Sequence, residues 1–154
     1  MTPVEFRRHL HRHPELSFRE TESARFIAEA LREAGIPCRP IAGTGVLAKI
    51  EGRGDLRRAV VLRADIDALP IREQSGAAWS SENDGVMHAC GHDIHAAVLY
   101  GTLLRLSAER NFEGTLFGIF QPGEESNPGG ASKVLAENPF EIGRASCRER
   151  VFWV

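Results

Sequence analysis

No stretch of the 154 residues approaches the ~20 consecutive apolar side chains needed to cross a bilayer. The N-terminus, MTPVEFRRHLHRHPE, lacks the apolar core of a secretory signal. Cysteine is scarce: Cys38, Cys90 and Cys147 are too few and too scattered for a disulfide framework, which points to a reducing, cytoplasmic setting. An excess of one charge is missing as well. Nineteen Lys and Arg stand against 21 Asp and Glu, a formal net charge of −2, which excludes a basic nucleic-acid binder and a disordered polyelectrolyte. No internal repeat or low-complexity linker interrupts the chain, and all six histidines fall at or before His95. What is present is 42% apolar content in a length suited to one domain, enough to bury about 70% of its surface.

Two helix starts are written near the N-terminus. Thr2-Pro-Val-Glu5 combines an N-cap, a proline at the first helical position and a capping glutamate, so a helix with Phe6 and Leu10 inward should run to before Pro14. Ser17-Phe-Arg-Glu20 has the same capping-box spacing. Behind it Ala24, Ile27, Leu31 and Ala34 recur at helical intervals, with Phe26 and Ala30 widening the stripe and Gly35 and Pro37 supplying the stop. Residues 46–50 and 59–64 predict short apolar strands separated by the turn Gly52–Asp55, and 72–85 reads as a polar loop. A helix over 95–109 with Val98, Leu99, Leu103 and Leu106 inward precedes a third strand, 115–120, and a last short helix over 129–137. Alternating helices and strands predict an α/β fold with a central, mostly buried sheet flanked by helices.

The last residues are set apart. Glu141 to Val151 (EIGRASCRERV) back-translates into a string resembling a common high-throughput sequencing adapter, so 141–154 is expected to be a non-native tail.

Chemistry concentrates in three places. Met87-His-Ala-Cys-Gly-His-Asp-Ile-His95 holds three His, one Cys and one Asp in nine positions. In an extended backbone Cys90 and His92 project to one side, and Gly91 lets the chain approach an ion closely. Thiolate and imidazole suit a borderline-soft divalent metal, while Asp93 is placed to hold a ligand imidazole. Gln121-Pro-Gly-Glu-Glu125 follows the third strand, where open α/β sheets put their sites. Two adjacent dry carboxylates repel, and a cation resolves this: one carboxylate ligates it, and the other takes a proton from the water it acidifies, whose pKa can fall from about 15.7 towards ~7. Asp65 and Asp67, in Leu62–Pro70, face one side at the end of the second strand, as supporting acids, as ligands, or as part of a plain turn.

Jointly, LHRHPELSFRE (Leu10 to Glu20), VLRADIDALPI (Val61 to Ile71), MHACGHDIHAA (Met87 to Ala97) and FQPGEE (Phe120 to Glu125) resemble the metal-dependent aminoacylases, in particular the hippurate hydrolase and N-acyl-amino-acid amidohydrolase branch. The resemblance implies a zinc-peptidase-like catalytic domain, with 1–140 as its N-terminal part. It implies Cys90 as a ligand shared between two divalent ions (Zn, Mn, Co or Ni), His92 and Glu125 as further ligands, and Glu124 as general base. Asp65, Asp67, Asp93 and His95 become supporting residues around them. The implied substrate is a small N-acyl amino acid, with no nucleic acid or membrane partner, and intact relatives are homodimers. Relatives take further His ligands and a dimerisation and lid domain from downstream sequence, so this chain reads as a truncated catalytic domain with little or no amidase activity of its own.

Other readings compete with this one. The polypeptide could be an inert remnant, or Cys90 could be a nucleophile activated by His92 or His95 in a cysteine hydrolase. Gly43–Ala48 fits GxGxxA, but an apolar strand rather than a helix follows it, so a nucleotide site is excluded. His9, His11 and His13 do not share one helical face at i,i+2 spacing and read as a solvated helix end, with a near-site role implied only by the resemblance. Alkylation of Cys90 separates thiol roles. A metal-ligating thiolate should react faster once a chelator strips the ion, and an equal rate with and without chelator would favour the nucleophile.

Overall fold

The computed structural model describes residues 1–139 and the backbone of 151–153. The elements run α1 (Pro3–Arg12), α2 (Thr21–Glu33), β1 (Cys38–Ile41), β2 (Gly45–Glu51), β3 (Ala59–Asp65), α3 (His92–Glu109), β4 (Thr115–Gln121), α4 (Gly130–Ala136) and β5 (Val151–Trp153). The described strands form one mixed sheet in the order β1-β2-β4-β3-β5. β3 and β4 are parallel, with Asp65 opposite Gln121, while β1, β2 and β5 join antiparallel. The two parallel strands therefore end side by side, and the loops leaving them share one edge of the sheet. Of the expected tail, only the backbone of β5, set against β3, is described; the rest of 141–154 lies outside the described residues.

Strand alternation feeds two apolar layers. Val46, Ala48 and Ile50 of β2, Ala64 of β3 and Leu116 and Phe120 of β4 meet α1, α2 and α3. Leu47, Val61 and Ile119, from the opposite face, meet Val134 of α4 and Ile41. Phe6 is fully buried at the middle of the larger layer, stacked on Tyr100 with ring centroids 4.3 Å apart.

The first helix starts as its sequence dictates. The Glu5 N–H donates to Thr2 Oγ1, and the Thr2 N–H donates to Glu5 Oε2 at 2.7 Å. The second capping box does not form. Glu20 itself occupies the N-cap of α2 and makes no side-chain cap, because its carboxylate turns inward to Thr44 and Gly123, while Ser17 donates to Asp67. α3 opens at His92, three residues earlier than expected. Val98 lies on its outer face, 64% exposed, because the buried stripe is Ala96, Leu99, Tyr100 and Leu103. β1 carries no sequence signal: it has four residues with Pro40 inside, tolerated because β1 is an edge strand.

Phe6→Ala removes the stacked ring from the middle of the core. It should lower unfolding free energy by about 3–5 kcal/mol in urea titrations.

Candidate metal centre

The site is assembled where β3 and β4 end. Asp65 closes β3, and the Ile66 N–H donates to the Gln121 carbonyl at 3.0 Å, so the chain leaving β3 stays beside β4 until Asp67. Leu69 and Met87 exchange backbone hydrogen bonds of 3.0 Å, which draws the loop carrying Cys90 to the same edge. Gly91 then adopts a left-handed conformation (φ 79°) as N-cap of α3. Cys90 and His92 are thus brought together across a turn rather than along the extended segment expected from their spacing.

One ligand-capable atom from each of Cys90, His92 and Glu125 lies within 4.8 Å of the others. Asp65, His92 and His95 form a second such group sharing the same imidazole. His92 Nδ1 faces only acceptors, the Asp67 carbonyl at 2.9 Å and Asp67 Oδ1 at 3.2 Å. The ring proton therefore sits on Nδ1, and Nε2 keeps its lone pair for an ion. That Nε2 stands 3.8 Å from both Glu124 Oε2 and Glu125 Oε1.

Asp67, not Asp93, holds the His92 imidazole. The contact expected of Asp93 is not the one it makes: its carboxylate accepts from His11 Nδ1 at 2.8 Å and pairs with Arg7 Nε at 2.6 Å. His11 in turn meets Glu73 Oε1 at 3.1 Å through Nε2. His11 is buried inside this network rather than solvated, whereas His9 and His13 remain outside it. Burial alone would raise the Asp67 carboxyl. Hydrogen bonds from His92, the Glu125 N–H, Ser17 and the Glu124 N–H instead bring it to about 2. Asp65, 4% exposed, pairs with Arg63, whose Nε also donates to Gln121 Oε1 at 2.7 Å.

Charge around the donors is strongly negative. The hydrogen bond with Glu125, partial burial and the charges of Glu125, Glu124 and Asp65 push the Cys90 thiol up. A self-activated nucleophile needs the opposite shift, so this environment speaks against the cysteine-hydrolase reading. For His92, burial works downward, but the Asp67 hydrogen bond and the charges of Asp65 and Asp67 leave it raised. A field that draws protons onto a thiol and an imidazole draws a divalent cation equally. The donor set of thiol, imidazole and carboxylate therefore fits such an ion.

His88 escaped the sequence reading as an individual. It is 4% exposed, neither ring nitrogen has a hydrogen-bond partner among the described residues, and burial lowers its pKa to about 4. Ser17, Glu20, Arg63 and Glu73 were likewise unforeseen in these roles, since each acts on residues 20 or more positions away or through a single local ion pair.

The family model described as peptidase family M20/M25/M40 matches residues 61–151, more than half of the chain. The chain is 45% identical over 140 residues to the N-acetyl-L-cysteine deacetylase of Bacillus subtilis, covering 90% of this chain and 33% of that protein. It is 44% identical over 134 residues to the N-acyl-L-amino acid amidohydrolase of Geobacillus stearothermophilus, covering 86% and 36%. Among solved structures, the Bacillus subtilis YXEP protein, described as a dinuclear metal binding peptidase from the M20 family, superimposes with a TM-score of 0.84 at 45% identity, covering 90% of this chain and 40% of that one. The chain thus spans about a third of the length of the curated relatives it matches.

Both His88 and Asp67 hold fewer protons in the folded chain than when unfolded, so acid destabilises through each. With chelator present, stability should fall as pH drops from 6.5 to about 4 through His88, by on the order of 3 kcal/mol. A second loss follows from 3.8 to about 2 through Asp67. Urea titrations across this range should show His88→Leu flattening the first stage and Asp67→Asn the second.

Proposed function

The chain belongs to peptidase family M20/M25/M40, and from that premise we propose that it carries the metal-holding part of an amidohydrolase acting on small N-acyl amino acids. The observation carrying this reading is the convergence of Cys90, His92 and Glu125 at the ends of two parallel strands, with Glu124 beside them. The substrate class is supported by relatives named for N-acetylcysteine and N-acyl amino acids.

Each side chain then has a task. Cys90, His92 and Glu125 would hold a divalent ion, and Asp67 fixes the His92 ring through Nδ1 so that Nε2 is left to serve as the donor. When bound, the ion supplies Lewis acidity for the amide carbonyl and acidifies water at the site. Glu124, 42% exposed and outside the three-donor set, takes the proton of the attacking water and returns it to the leaving amine. Zn suits the thiol and imidazole, and Mn, Co or Ni meet the same donors. With Nδ1 committed to Asp67, His92 offers one lone pair and serves one ion. Asp65 and His95 are the further side chains that would be to hand for a second ion, with Cys90 the shared ligand that the family resemblance implies.

On this reading the 154 residues by themselves turn over little substrate, the setting is cytoplasmic, and intact relatives are homodimers. Residues 141–154 remain, on this reading, a non-native tail after a catalytic part at 1–140.

Titration of the purified chain with Zn²⁺ or Co²⁺ tests the assignment. Cys90→Ser and His92→Ala should weaken binding by more than the ~10–100-fold that loss of an outer hydrogen-bond partner costs. Glu124→Gln should leave affinity unchanged. Hydrolysis of N-acetylcysteine should stay near background with any of the four metals, and turnover near that of an intact relative would overturn the low-activity proposal.

A further inference from the structure

Glu20 is fully buried at the N-cap of α2, yet its side chain makes no cap hydrogen bond to that helix. Its Oε1 accepts the Gly123 N–H at 2.8 Å, across 103 residues of sequence, and its Oε2 accepts the Thr44 hydroxyl from the β1–β2 turn. Gly123 immediately precedes the two glutamates. Its φ of 60° is left-handed, and a Cβ there would lie 2.4 Å from the Phe18 ring, so only glycine fits against that side chain. Its carbonyl is also committed, accepting the Gly130 N–H at 2.9 Å. Two residues on, the Glu125 N–H is held by Asp67 Oδ2, which also accepts the Ser17 hydroxyl at 2.7 Å. The segment Ser17–Glu20 therefore touches both ends of the Gly123–Glu125 backbone, from one side by Phe18 and Glu20 and from the other through Asp67.

We propose that Glu20 is a positioning residue: its carboxylate fixes the Gly123 N–H and so sets where Glu124 and Glu125 project towards Cys90 and His92. This rests on the roles given to those two glutamates above. The backbone of a loop that follows a strand has no ladder partner for its N–H groups, and a buried N–H without an acceptor is unstable. Glu20 supplies that acceptor from a rigid helix start, and Thr44 orients the carboxylate. The requirement is geometric. Glutamine reproduces it, with Oε1 accepting from Gly123 and the amide NH₂ donating to Thr44, whereas alanine cannot.

Amide hydrogen exchange and metal titration on the full chain test this together. Glu20→Ala should speed exchange at Gly123–Glu125 by about 10–100-fold, while β2 and β3 amides keep their protection. It should also weaken Zn²⁺ binding by about 10–100-fold. Glu20→Gln should restore both, and Thr44→Val, a milder change, should give the same local effect at smaller size. Unchanged exchange at Gly123–Glu125 in both Glu20→Ala and Thr44→Val overturns the proposal, as does a loss of protection spread evenly over the sheet or a glutamine variant as impaired as alanine. If wild-type chain binds no Zn²⁺ but the loop still responds to Glu20→Ala, the metal reading fails and the positioning role stands.

Discussion

The Asp67 carboxylate is the junction through which the site exists. Four parts of the chain meet on it: the exit of β3 that carries it, the first residue of α3 through His92, the loop after β4 through the Glu125 N–H, and the segment before α2 through Ser17. A buried carboxylate with this many donors stays ionised, so its charge is fixed in a place where water cannot reach it. It orients the imidazole, anchors the glutamate backbone and contributes to the negative field at the donors. Loss of any of these three attachments frees a part that the others depend on.

Electrostatics divides the interior into two regions with different solutions. Around Cys90 and His92 negative groups accumulate without an equal number of cations, and a divalent ion resolves that surplus. Around Asp93 the charges are closed upon themselves: Arg7 and His11 from α1 face Asp93 at the start of α3, and His11 continues to Glu73 in the following loop. Glu73 also accepts the Ser81 N–H at 2.6 Å, so the network ties the 72–85 loop to two helices. The first arrangement is poised for a ligand. The second is satisfied within the protein, and the His88 ring, without a hydrogen-bond partner among the described residues, lies 6.4 Å from that of His11.

Apolar periodicity and local punctuation were enough to read most of the fold. α1, β2, β3, β4 and α4 lie within a residue or two of their sequence positions, because a capping box, a run of β-branched residues or a glycine stop acts on its immediate neighbours. β1 was not legible, since four residues around a proline carry no alternation, and α3 began early, since Gly91 caps it by backbone conformation rather than by a polar side chain.

The candidate donors stood out in the sequence for a related reason. Thiol, imidazole and paired carboxylates pointed to that chemistry jointly rather than singly, and the ends of adjacent parallel strands are a place where sequence order already brings loops together. What side chains do for one another was decided by tertiary structure alone. Asp93 adjoins His92 in the sequence and Asp67 lies 25 positions from it, yet the folded chain turns Asp67 to His92 and Asp93 to Arg7 and His11. Glu20 has the spacing of a capping residue and spends its carboxylate on a glycine 103 positions away. Spacing along a chain determines which groups can share a helix turn or a strand face; direction and burial, which decide who accepts whose proton, arise only when distant segments close over one another.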